Sequence, residues 1–192
     1  MVVSLFEPDP INLGLIHQTA RWAGSDIAIF PYAASDKDGE AVFVVDPVSG
    51  ATGALEGTDQ VFSIRHYAAQ PRSITVKTVA LDTFRKNALP PELIKIDVEG
   101  HESALIGGTR RTLAEDQPIL IFESFGRDPA LFSLLQGLQY RLFDAERMVN
   151  GLQKTTSFLA LPTRYVCRNQ NLRALWKHEL IRMGLPGLSN AI

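Results

Sequence analysis

The chain has 192 residues, 45% of them apolar and 21% charged, with a formal net charge of -2 and one cysteine. That supplies enough apolar material for one domain with a real core, gives no electrostatic reason to expect nucleic acid or an anionic membrane as partner, and excludes an internal disulfide or a cysteine-built zinc cage. No run approaches the ~20 apolar residues of a membrane helix, and the first residues lack the basic start of a signal peptide, so a cytoplasmic location is expected.

In chain order, residues 2–6 read as a buried strand stopped by Glu7-Pro8-Asp9-Pro10. Ile11, Leu15 and Trp22 recur at near-helical spacing, which predicts a helix over 11–23 closed by Gly24. Strands follow at 26–30 and 41–45, with a turn at Lys37-Asp38-Gly39-Glu40 between them. Residues 46–60 carry Pro47, Gly50, Gly53 and Gly57 and form a surface loop suited to a substrate rim. A strand at 73–79 leads into a short helix at 81–86, and a second apolar strand runs over 93–98. Residues 102–114 are helical, but Gly107-Gly108 divides them into two pieces. Beyond them come a buried strand at 119–122, a helix at 130–137 and a terminal strand pair at 140–143 and 157–161. An amphipathic helix at 172–183 closes the chain, and Cys167 stands in no motif and reads as a structural thiol. Strands alternating with helices imply an α/β fold with a mainly parallel sheet covered on both faces.

Three predicted strands finish in acids: Phe6-Glu7, Val98-Glu99 and Phe122-Glu123. Ligands of open α/β sheets bind beyond the carboxyl ends of strands, so these acids are candidates for a site. Side chains two apart on a strand share a face, which puts Lys95, Asp97 and Glu99 together if the extended geometry persists. Lys95 then neutralises Asp97, as a buried ion pair, and Gly100 relieves the turn into the next helix. An acid just past a strand, such as Glu7, can accept both hydroxyls of a ribose. His101 suits a general base for an alcohol, and suits equally well a first-turn helix residue facing water. Asp97, Glu99 and Glu123 could alternatively gather oxygen ligands for magnesium.

The run Leu-Ile-Lys-Ile-Asp-Val-Glu-Gly-His-Glu over 93–102, followed by Ala-Leu-Ile-Gly-Gly, resembles the signature of the FkbM family of S-adenosyl-L-methionine-dependent methyltransferases. So do Phe6-Glu7-Pro8-Asp9-Pro10, the turn Ala33-Ala34-Ser35-Asp36-Lys37-Asp38-Gly39, Thr78-Val79-Ala80-Leu81-Asp82 and the segment from Pro118 to Glu123, in the family's order, over roughly residues 2–165. The resemblance implies a Rossmann-like class I methyltransferase sheet with an antiparallel terminal strand pair, in a domain over 1–170 with a helical tail at 171–192. It implies methyl transfer to a hydroxyl of a sugar, polyketide or other small natural product. Carried over, Glu7 would hold the cofactor ribose, Ala33 and Ala34 would lie by the adenine, and Asp97 would sit near the sulfonium. Position makes Glu99 and His101 candidates for orienting or deprotonating the acceptor.

The family pattern also has an Asp-x-Gly-Ala-Asn-type strand and glycine-rich loop before the Phe-Glu-Pro turn, and the 192 residues do not contain it. Without that strand its two neighbours keep unpaired backbone groups, so weak or absent cofactor binding is the expectation. A truncated, non-catalytic remnant or binding domain on the same scaffold is the alternative. A dinucleotide-binding oxidoreductase shares the acid after the strand, yet it too needs a glycine fingerprint.

Overall fold

The computed structural model describes residues 2–48, 50–58, 70, 72–124, 128–145, 149–150 and 155–166. The chain divides into two compact units, Met1–Leu89 with Val98–Arg111 and Pro90–Asp97 with Thr112–Ile192.

In the first unit β1 (Val3–Phe6) leads through α1 (Pro10–Ala23) to β2 (Ile27–Phe30), and the two strands pair in parallel with Phe6 opposite Phe30. Local chemistry sets both ends of α1. Asp9 Oδ1 accepts from the Ile11 N–H at 2.8 Å, Pro10 needs no donor in the first turn, and Gly24 takes the left-handed cap at φ 62°. Pro31 follows β2. Lacking an N–H, it cannot continue the ladder, and beyond it β3 (Tyr32–Ser35) joins a different sheet. That second sheet runs β3-β6-β4-β5, from β4 (Gly39–Val45), β5 (Ala54–Leu55) and β6 (Arg72–Ala80). Alternation along β4 turns Phe43 and Val45 inward, where they pack with Ala33, Leu55 and Val76. β6 runs directly into the short α2 (Leu81–Phe84), whose Phe84 ring meets Phe6 and Phe30 edge-on, each at 4.9 Å. The unit ends with α3 (Glu102–Gly107), and α4 (Arg110–Glu115) carries the chain onward.

The second unit holds one sheet in the order β10-β9-β11-β8-β7. β7 (Leu93–Ile96) and β8 (Ile119–Glu123) are parallel, while β11 (Ser157–Pro162) runs antiparallel to both β8 and β9 (Tyr140–Asp144). β10 (Val149–Asn150) is a short outer strand and α6 (Thr163–Val166) follows β11. Phe122 and Phe158 are almost fully buried with stacked rings 5.3 Å apart, and α5 (Pro129–Gly137) adds buried Leu131 and Leu135.

The fold is therefore α/β with mixed sheets. The described strands form three sheets in place of the expected single, mainly parallel one, because the chain leaves the first ladder at Pro31 and because β4, β9 and β11 run antiparallel to their neighbours. The expected terminal pair is found in β9 and β11, and the helical stretch divides at Gly107-Gly108 as its composition implies. The tail at 171–192, Cys167 and part of the 46–60 loop lie outside the described residues. Among the described residues no helix is long and apolar enough to cross a membrane.

Candidate functional site

Glu7 stands directly beyond β1, and its N–H donates to the Phe30 carbonyl at 3.1 Å, so the pairing with β2 fixes where the side chain begins. Its Oε1 accepts from the Asp9 N–H at 2.7 Å. Burial pushes the Glu7 carboxyl above its ordinary range and the nearby Asp9 charge adds to this, while hydrogen bonds from the Asp9 backbone and the Asn12 side chain oppose it. Asn12 in turn donates to the Gly50 carbonyl at 2.9 Å, tying the start of α1 to the loop after β4. A carboxylate offers about four lone-pair positions. Two donors therefore leave capacity for a vicinal diol, and the residues present fit a ribose at this strand end.

Ala33 is buried and Ala34 half-buried in β3, in parallel register with Thr78 and Val79 of β6. The next residue, buried Ser35, is the centre of a small polar group. Its Oγ donates to Asp36 Oδ1 at 3.0 Å and lies 2.8 Å from His101 Nε2. His101 reaches this position because the backbone turns sharply before it, with Glu99 at φ 45° and Gly100 at φ 87°, both left-handed. The Gly100 N–H donates to Glu102 Oε1 at 3.0 Å, securing the turn at the start of α3. At the other end of α3, a Cβ on Gly108 would collide with the Ser35 carbonyl and stand 2.8 Å from Asp36 Cα. Glycine is required there for close approach, a role beyond the helix break that sequence suggests.

His101 is half-buried at the N-cap of α3, with its ring against Ser35. Burial holds its pKa below the ordinary imidazole value, with the Asp36 charge opposing. The left-handed turn also corrects the idea that Lys95, Asp97 and Glu99 share one strand face. β7 ends at Ile96, and extended geometry does not persist as far as Glu99.

In the second unit Lys95 Nζ and Asp97 Oδ2 meet at 2.7 Å, as expected from their spacing. Their side chains are 57% and 50% exposed, so the pair is a surface bridge and not a buried one. Ile96 and Phe122 are in register on parallel strands, which brings the next residues, Asp97 and Glu123, to the same end of the same sheet. Thus Ser35 brings His101 to the end of β3, the strand that carries Ala33 and Ala34, Glu7 stands at the end of β1 in the same unit, and Asp97 and Glu123 are at the same end of the sheet in the other unit. Among the described residues no three His, Cys, Asp or Glu gather closely enough to hold a metal ion. Phe125 and Arg127 lie outside the described residues, and Asp128 caps α5 through the Ala130 N–H at 2.8 Å.

Sequence reasoning missed Ser35, Asp36 and Asn12 as partners of the site. Ser35-Asp36 directly follows the two alanines and ends a strand, which was the available signal; its link to a histidine 66 residues away was not readable from spacing.

The Methyltransferase FkbM domain matches residues 2–145. A curated relative, the hexuronic acid methyltransferase AglP of Haloferax volcanii, is 26% identical over 129 residues, covering 66% of this chain and 49% of its own. The chain thus spans about half the length of that relative. The crystal structure of an FkbM methyltransferase from Methylobacillus flagellatus superposes with a TM-score of 0.51 at 18% identity, over 82% of this chain and 36% of the other. With a strand-end acid, a paired-alanine strand and the Asp-Val-Glu-Gly-His turn all inside the matched span, the chain belongs to the FkbM methyltransferase family.

Proposed function

We propose that the chain is an S-adenosylmethionine-dependent O-methyltransferase on a Rossmann-like class I scaffold, acting in the cytoplasm on a hydroxyl of a sugar, polyketide or other small natural product. Family membership over residues 2–145 carries this reading. The relative named for hexuronic acid favours the sugar class among acceptors. Neither nucleic acid nor a membrane is required as partner.

The cofactor supplies a methyl group already activated on a sulfonium, so the protein's task is alignment and proton removal. Glu7 would accept the ribose hydroxyls, and Ala33 and Ala34 would present small side chains beside the adenine. His101 takes the proton of the acceptor hydroxyl; its lowered pKa keeps the ring neutral near pH 7 and able to accept. Glu99 orients the acceptor.

Methyl-labelled S-adenosylmethionine with a panel of hexuronic acids, neutral sugars and hydroxylated natural products tests the reading. Label should appear in an ether product and vanish in His101→Gln. Label transfer that persists in His101→Gln removes the histidine from the chemistry, and label in no acceptor removes the activity.

A further inference from the structure

We propose that Ser35, held by Asp36, is a positioning residue that fixes the tautomer and aim of the His101 ring, so that Nδ1 is the atom presented to the acceptor. The inference deepens the assignment of His101 as base and rests on it for its purpose, though its geometry stands independently. Ser35 has one proton to give, and it has two neighbours, Asp36 Oδ1 at 3.0 Å and His101 Nε2 at 2.8 Å. An ionised carboxylate can only accept, so the serine proton lies toward Asp36. The Ser35 oxygen then faces Nε2 with lone pairs, and Nε2 must carry the hydrogen. In the neutral ring that leaves Nδ1 bare, the acceptor that a general base requires.

Order matters here. In a nucleophilic triad the ring stands between acid and hydroxyl and strips the hydroxyl of its proton. In this chain the hydroxyl stands between acid and ring, so Ser35 is an anchor and is not activated to attack. The anchor is rigid: Ser35 is buried at 4% exposure, β3 is paired to β6 through Ser35 and Ala80, and Gly108 allows the end of α3 to close on the Ser35 backbone. The left-handed pair Glu99 and Gly100 sets the ring's approach from the other side.

Nitrogen-15 histidine spectra of the protein without cofactor test this directly, because they need no turnover. At mildly alkaline pH, His101 should show the Nε2–H tautomer with an exchange-protected Nε2 proton. Protection should be lost in Ser35→Ala and retained in Ser35→Thr, which keeps the hydroxyl. In turnover, Ser35→Ala should lower kcat on the order of tenfold with KM unchanged, short of the ~10²–10⁴-fold that removing a base itself carries. An Nδ1–H tautomer in the wild type, or an Nε2 proton equally protected in Ser35→Ala, overturns the proposal. Failure of the methyltransferase reading would instead appear as no label transfer with these spectra unchanged.

Discussion

Two helices in this chain begin in the same way and end in different circumstances. Both α1 and α5 open on Asp-Pro, and in each the aspartate Oδ1 accepts the N–H two residues on, at 2.8 Å. α5 then buries Leu131 and Leu135 against its sheet. No residue of α1, the less apolar of the two in sequence, is buried; Ile11 is 58% exposed, Leu15 57% and Trp22 90%. Leu15, Ile16 and Ala20 line an open apolar groove with Leu5 of β1 and Ile27 of β2. A cap and a proline start a helix whatever it packs on, whereas burial depends on the width of sheet beneath it. α5 lies in a unit with a five-stranded sheet; α1 connects a sheet of two.

The largest contrast should appear on truncating a leucine in each helix. Leu135→Ala removes a fully buried side chain and should cost about 2–5 kcal/mol, read as a lower urea midpoint. Leu15→Ala should stay within about 0.5 kcal/mol of wild type, and a loss comparable to Leu135→Ala would show that α1 is covered in solution. Next in size is Gly108→Ala, where a Cβ meets backbone at Ser35 and Asp36; about 1–3 kcal/mol is expected, with the His101 spectrum disturbed. The two caps give a closer comparison. Asp128→Ala should lose about 0.5–2 kcal/mol, and Asp9→Ala should lie at the upper end, because Asp9 is 2% exposed.

A pH series sharpens the picture of the first unit. His101 has its folded pKa below the ordinary 6.5, so the unfolded chain binds its proton first as pH falls. The stability from the neutral ring is complete above 6.5 and is lost as pH drops through the folded value. Glu7 acts with the opposite sign. Its folded pKa is raised above 4.5, so its contribution is fullest below 4.5 and diminishes as pH rises through the folded value. The acid limb of the methyl-transfer rate should lie below pH 6.5, and Asp36→Asn should move it lower still by removing the charge that raises the ring. Smallest of all, Trp22→Ala should change stability by under about 0.5 kcal/mol, since that ring is 90% exposed.

Much of this was legible in the sequence, for local reasons. Asp9-Pro10 and Gly24 mark the ends of α1, Gly107-Gly108 divides α3 from α4, and two of the three strand-end acids stand where expected, Glu7 just past β1 and Glu123 as the last residue of β8, while Glu99 lies beyond the end of β7. Illegible features were those set by distant partners. Pro31 reads as an ordinary turn residue until the strands on its two sides are seen in different sheets. The Lys95–Asp97 spacing predicts the bridge but says nothing of its exposure. Glu99 is β-neutral in sequence, yet the chain needs a left-handed turn there to bring His101 to Ser35.

The central claim is that the end of β1 and the neighbouring β3 turn grip the methyl donor. Titrating S-adenosylmethionine while following backbone amides by NMR tests it most directly. We predict weak, saturable shifts at Glu7, Ala33 and Ala34, with affinity at least about tenfold lower in Glu7→Ala, the equivalent of ~1.4 kcal/mol. Shifts absent from those amides, or the same affinity in wild type and Glu7→Ala, would contradict it.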